Sequence, residues 1–428
     1  MSLALIASLS FLSLTLSSSA FGQSGAGASP PWVQLAKLSS SSLYAYGNGN
    51  SVGISGDVVV VGAPYGQFAS VYVMPHPGWA NMVETATLTA SDEPVWGNFG
   101  NSVAIVGDTI VVGDPAANVG FTGAVYVFVR PSRGWSGTLT QTAKLTASDA
   151  ASGDELGYSV AISGDTIVSG APYQLREVGA AYEFTKPAGG WVDSTETAKL
   201  TASDGQPPQG LGISVSASAG VIVAGSPFAT IGSNQGQGAV YVYVEPAGGW
   251  TNATQTAKLT SSDGQQYDDL GYSVSLSGQV LAAGAPGPDF GSTTGPGAAY
   301  VFVEPAGGWA SNTQTAKLTA AGGYAGDYFG TSVATDGNVV VSGAPRYSHS
   351  KNQLASKFFN EGAAYIFVKP PSGWTNENQA ARLTGSDARL GALLGTSVAI
   401  NGNTAVAGGL FNNFNLGAAY IFSTFSGQ

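Results

Sequence analysis

Two short glycine motifs recur along this chain at one fixed separation, and that leaves few folds open. Gly-x-Ser-Val begins at Gly49, Gly100, Gly157, Gly212, Gly271, Gly330 and Gly395. Gly-Ala-Pro, or a close variant, begins at Gly62, Gly113, Gly170, Gly225, Gly284, Gly343 and Gly408, the same offset of thirteen positions in every copy. The spacing between successive copies is not constant, so all length variation falls outside the paired motifs. A constant segment between variable ones is how a β-hairpin with outer loops of differing length behaves. Self-similarity at this period signals a propeller or a solenoid.

The third copy shows how each unit divides. Residues 159–163 and 166–170 read as two strands joined by a tight turn, where Gly164 tolerates positive φ and Asp165 suits the same turn. Residues 180–185 supply a third strand, and residues 196–202 a fourth after the turn from Pro187 to Trp191. In the fourth, Ala198 and Leu200 alternate with Lys199 and Thr201, the period of a half-buried strand. The first two are nearly continuous Val, Ile and Ala, as strands covered on both faces should be. The spacing predicts an all-β fold, a seven-bladed β-propeller of four-stranded antiparallel blades. The last copy has no fourth strand, whereas residues 32–38 carry the matching Ala-Lys-Leu ending. Residues 32–38 are therefore expected to complete the last blade and close the ring, hiding its edge and making 32–428 one domain.

Composition narrows the function. Only 10% of residues are charged, which excludes a helical bundle, and 26 acids against 15 bases leave a net charge of −11. That balance argues against a nucleic acid partner, which needs a basic footprint. With no Cys there is no disulfide, thiolate metal site or thiol nucleophile, and His76 and His349 are the only histidines. Residues 3–16 are apolar apart from Ser and Thr and precede Ser18-Ser19-Ala20, the pattern of a signal peptide over 1–20. Residues 21–31 read as a flexible leader, and no later run is long enough for a transmembrane segment. The expectation is a secreted chain, extracellular, at a cell surface or periplasmic.

Phe99-Gly100 and Phe329-Gly330, each followed at the same offset by Gly-Ala-Pro or a variant, resemble the FG-GAP repeat. That repeat builds the seven-bladed head of integrin α chains and occurs in many bacterial secreted proteins. Leu156, Leu211, Leu270 and Leu394 stand in for Phe, Asn48 does so in the first copy, and the last copy reads Gly408-Gly409-Leu410. The resemblance implies a binding propeller with adhesion as its work. Its calcium loops do not carry over. Integrin-like repeats place several carboxylates between the first and second strands, and hard cations need such an oxygen cage. Here that connection is a turn with one acid, as at Asp57, Asp108 and Asp165. No metal and no other cofactor is expected.

Propeller geometry puts the connections from fourth to first strand and from second to third strand on one face. The latter vary more than twofold in length, and variable loops on a rigid frame are where binding resides. The longest holds Arg346, Tyr347, His349, Lys351, Lys357, Phe358 and Phe359, a basic and aromatic set in an acidic chain and a candidate contact for an acidic glycan or protein. Six other bases, Lys37, Lys144, Lys199, Lys258, Lys317 and Arg382, fall on fourth strands and read as guards of an exposed blade edge. The carboxylates of the loops from Asp149 to Glu155 and from Asp263 to Asp269 read as turn formers bonded to nearby backbone, with a weak cation site as the alternative. Trp79, Trp135, Trp191, Trp250, Trp309 and Trp374 each follow a Gly, as one packing wedge per blade gap would. Trp96 breaks that register on the variable face and is the tryptophan singled out for ligand contact. No catalytic constellation is visible. The leading expectation is a non-enzymatic propeller for an extracellular protein or glycan partner; the alternatives are a lectin with repeated shallow sugar sites and a polysaccharide-cleaving propeller.

Overall fold

The computed structural model describes residues 31–92, 97–287, 295–348, 360–387, 389, 391–411 and 416–424. The expected signal peptide lies outside them. Seven sheets, each with a four-stranded antiparallel core, form the fold, and their innermost strands touch in succession from Ser51–Ser55 to Leu394–Asn401, which returns to the first. In the third blade, strand A is Ser159–Ser163, strand B Thr166–Ala171, strand C Ala180–Thr185 and strand D Ala198–Thr201. Each pairs antiparallel with the next. The ring closes as the sequence predicts: Trp32–Ser39 is strand D of the seventh blade and pairs with Ala418–Thr424, Leu38 opposite Ala419.

The constant offset between the two motifs has a direct cause. The Gly100 N–H donates to the Gly113 carbonyl at 3.1 Å, and the same bond joins Gly271 to Gly284 at 2.9 Å, so these hairpins are fixed in register by their own glycines; in the third blade the Gly157 N–H donates instead to the Ser169 hydroxyl at 2.9 Å. Those glycines also let neighbouring blades approach. A Cβ on Gly113 would lie 2.0 Å from the carbonyl oxygen of Gly157 in the next blade, and Gly157 itself sits at φ +92. The same Gly157 carbonyl accepts the Ser102 hydroxyl at 2.8 Å. Equivalent bonds run from Ser51, Ser159, Ser273, Ser332 and Ser397 to the following blade. The motif is thus a blade-to-blade joint as much as a turn.

The outer edge differs from the sequence expectation. In six of the seven blades strand D is not an exposed edge, because the connection between strands C and D of the following blade first lies parallel along it. Asn312–Thr313 does so beside Ala257–Thr260, with Leu259 opposite Asn312. Six of the seven sheets therefore have five strands, and among the described residues only the sixth blade, ending in Ala381–Leu383, has four. The lysines of strand D do not guard a free edge; their partners lie in the loops that enter each blade.

The tryptophans fill the blade gaps. Trp135, Trp191, Trp250, Trp309 and Trp374 are buried, each within the apolar cluster shared by two successive blades, and Trp79 packs between the seventh and first. The remaining gap, between the sixth and seventh blades, takes Trp32 from the closing strand. Burial removes the five tryptophan faces from solvent, so they serve as wedges and not as platforms for sugars.

Candidate functional site

The charged residues separate into a structural belt and a surface. At five junctions a strand-D lysine pairs with an Asp of the loop entering its own blade. Lys144–Asp92, Lys199–Asp149 and Lys258–Asp204 close to 2.6 Å, Lys317–Asp263 to 2.5 Å, and Lys37 pairs with Asp387. A strand-C tyrosine completes each unit. Tyr300 donates to Asp263 at 3.0 Å, Tyr182 to Asp149 at 2.8 Å, and the Lys317 and Lys199 ammonium groups sit 5.4 Å from the centres of those tyrosine rings. Partial burial acts to raise the Asp263 carboxyl, but Lys317 and Tyr300 outweigh it and hold the group below its ordinary value. Asp149 and Asp263 therefore tie their loops to strands C and D of the blade they enter, besides bonding their own backbone. Asp154 and Asp268, by contrast, do accept the backbone N–H three residues earlier, at 2.8 and 2.7 Å. Among the described residues no cluster of His, Asp and Glu is placed to hold a metal ion.

The loop faces differ sharply in what they display. The D–A and B–C loops lie together, as parallel bridges such as Gly123 with Leu156 and Gly238 with Leu270 show. Every exposed tyrosine and phenylalanine of the described residues is on this face. Tyr44 and Tyr46 belong to the loop entering the first blade, Tyr324 to the loop entering the sixth, and Tyr272 to the start of strand A in the fifth. Tyr65, Phe121, Tyr173, Phe228 and Phe411 come from B–C loops. Exposed apolar residues of the opposite face and the rim are aliphatic, among them Met74, Val106 and Val192.

The densest group surrounds the first blade. Tyr44 is 72% exposed and Tyr65 62%, yet the loop beneath them is held firmly. Ala45 is fully buried against Ala63, Phe68 and Leu416, and the Asn48 N–H donates to Ala45 and Leu416 carbonyls at 3.0 and 3.2 Å. At the base of the loop, Ser41 donates to Glu84 through both its N–H and its hydroxyl. A second display lies on the third blade, where Leu175, Arg176 and Glu177 all have positive φ, a costly backbone that the surrounding loop maintains.

At the centre, the variable residue of each Gly-x-Ser-Val motif rims the mouth of the channel: Asn50, Asn101, Tyr158, Ile213, Tyr272, Thr331 and Thr396. Burial keeps the Tyr158 hydroxyl protonated far above neutral pH, reinforced by Tyr173 and Tyr272 nearby.

Of the residues singled out in the sequence, Trp96, His349, Lys351, Lys357, Phe358 and Phe359 lie outside the described residues. Arg346 is exposed, with its guanidinium 4.3 Å above the Tyr328 ring. Tyr347 is only 7% exposed, its ring is edge-on to Tyr365, and its hydroxyl accepts from Arg382 at 2.6 Å. Here Arg382 stands where five other blades have Lys, and Gly322 where those five have Asp, so Tyr347 replaces the missing carboxylate. Tyr44, Tyr46 and Tyr65 escaped the sequence reading. Their signal was the run from Leu43 to Tyr46, apolar and aromatic in a connection that is elsewhere Asp- and Gly-rich.

A closed ring of seven hairpin-based blades, with one aromatic loop face and a channel mouth at its centre, defines a β-propeller. Six stretches, 82–128, 139–184, 194–243, 253–302, 312–367 and 377–422, match the FG-GAP repeat, and the chain belongs to that family. Each stretch runs from the outer parallel strand of one blade to strand C of the next. The unmatched equivalent spans the closure into the first blade, where Ser42, Ser70 and Thr87 replace the Asp, Tyr and Lys of the belt. No curated protein sequence matches the chain. Among solved structures it is similar to hydrazine synthase of Kuenenia stuttgartiensis, with 14% identity and a TM-score of 0.55 over 89% of this chain and 96% of the other. That likeness shows a shared fold.

Proposed function

We propose that this chain is an exported, non-enzymatic propeller that binds an extracellular protein or glycan through the face carrying its D–A and B–C loops. The observation that supports this most is the segregation of every exposed tyrosine and phenylalanine of the described residues to that face. Aromatic rings displayed by anchored loops give large contact area at small entropic cost, the usual composition of recognition surfaces. The apolar first segment of the sequence suits export, and the acidic balance suits a partner other than nucleic acid. The test is a glycan array together with capture of surface proteins, using the wild-type chain and a Tyr44→Ala/Tyr65→Ala variant. Binding that the double variant reduces at least tenfold supports the reading; binding that it leaves untouched overturns it.

A further inference from the structure

The channel mouth has a chemistry that neither strand pairing nor the ion-pair belt uses. Its cavity is about 330 Å³, within the range of roughly 300–1,000 Å³ common for small-molecule sites. Among the described residues no Asp, Glu, Lys, Arg or His lines it. The Thr331 and Thr396 hydroxyls give their single hydrogens to the Tyr328 and Leu393 carbonyls, at 2.7 and 2.8 Å. Toward anything in the mouth, those two oxygens can only accept. Asn50 and Asn101 each spend one amide hydrogen on the backbone of the next blade, at 2.8 and 2.9 Å, which orients the carboxamide and keeps its oxygen as an acceptor. Tyr158 and Tyr272 bring aromatic rings to the same rim, and the Tyr158 ring is braced edge-on by Tyr173 at 6.0 Å between centres.

We propose that this mouth is a single binding site for a neutral sugar unit, such as the terminal residue of a glycan. An anion would find no cation in the lining and an ammonium no carboxylate, so desolvation would go uncompensated for either. A pyranose suits it from both sides. Its hydroxyls donate to the fixed acceptors of Asn50, Asn101, Thr331 and Thr396, and its apolar ring face lies against a tyrosine. Because the rim residue differs from blade to blade, the site has one orientation and not seven. This rests on the reading of the loop face as the binding face and adds the ligand class and the position on the axis.

The test is saturation-transfer NMR on the full chain with maltose, lactose, cellobiose and N,N′-diacetylchitobiose, with 3′-sialyllactose as a charged comparison. At least one neutral disaccharide is expected to bind. Tyr272→Ala should weaken it at least tenfold, Thr331→Trp should block it, and Val192→Ala, exposed away from the loop face, should leave it unchanged. Silence from all four neutral sugars, tighter binding of the charged one, or binding insensitive to both mouth variants overturns the proposal. Loss of partner capture in the Tyr44→Ala/Tyr65→Ala variant alongside silent disaccharides would sink this site alone and leave the face reading standing.

Discussion

Ser397 donates its hydroxyl to the carbonyl oxygen of Gly49 at 2.8 Å, across 348 residues of sequence. This is the bond that joins consecutive blades elsewhere, so the junction of the last blade with the first is built like the interior ones. Ser397→Ala leaves that carbonyl beside buried surroundings with one partner fewer, at a cost of about 1–2 kcal/mol. Urea unfolding should show the midpoint falling with no change in slope. A midpoint that does not move would mean that the strand from Trp32 carries the closure without the inner joint.

The belt of lysines makes a prediction about pairs. Lys317 and Asp263 are about a third and nearly half exposed, so the pair by itself is worth no more than about 1 kcal/mol. Removing one partner is a different matter, because Lys317 lies over the Tyr300 ring with its ammonium then unmatched. Blade 1 shows how the fold tolerates the loss, with Ser42, Ser70 and Thr87 replacing all three residues together. Asp263→Ala should therefore destabilise more than Asp263→Ser/Lys317→Thr, by about 0.5–1 kcal/mol in thermal or chemical unfolding. Equal losses would show that the pairing is incidental.

The blade count, the closing strand and the tryptophan wedges were legible because each rests on local spacing. A hairpin register is set within one pair of glycine motifs, and period-2 alternation marks strand D. The outer parallel strands were not legible: two residues such as Asn312 and Thr313 carry no period, and their pairing depends on where the neighbouring blade stands. The Lys317–Asp263 pair spans 54 residues and appears only once blades are adjacent. Joint presence of Lys, Asp and Tyr in five units, and their joint absence in the first, was the available signal. Arg346 and Tyr347 were conspicuous by type, yet type alone could not reveal that Tyr328 and Arg382 already engage them.

Arg176 offers a test of strain on the loop face. It is exposed at φ +60 between two other residues with positive φ. A left-handed backbone costs a residue with a side chain about 1–2 kcal/mol, and glycine avoids most of this while losing some entropy on folding. Arg176→Gly should raise stability by about 0.5–1 kcal/mol. Measured by thermal unfolding, a decrease would mean that the Arg176 side chain contributes more than its backbone costs.

Glu183 should make the fold weaken as pH rises. It occupies a strand-C position where the other blades have Val71, Val127, Val242, Val301, Ile366 and Ile421, and it is fully buried. One carboxyl oxygen accepts from the Thr185 hydroxyl at 2.7 Å, and the other has no hydrogen-bond partner. Burial, aided by the charge of Glu245, pushes the group from 4.5 up to about 7. Below about 4.5 both folded and unfolded chains hold the proton and nothing is lost. Between 4.5 and about 7 the unfolded chain ionises first, so stability falls, by on the order of 3 kcal/mol once the folded group has ionised too. Asp154 and Glu155 are raised in the same direction, so the wild-type curve alone does not isolate this group. The difference between wild type and Glu183→Gln does. From pH 5 to 8 the belt aspartates stay ionised, and the variant should gain on wild type up to about pH 7 and hold level above it, with Glu183→Val behaving alike. Parallel curves for all three would show that ionisation of Glu183 carries no cost in the blade gap.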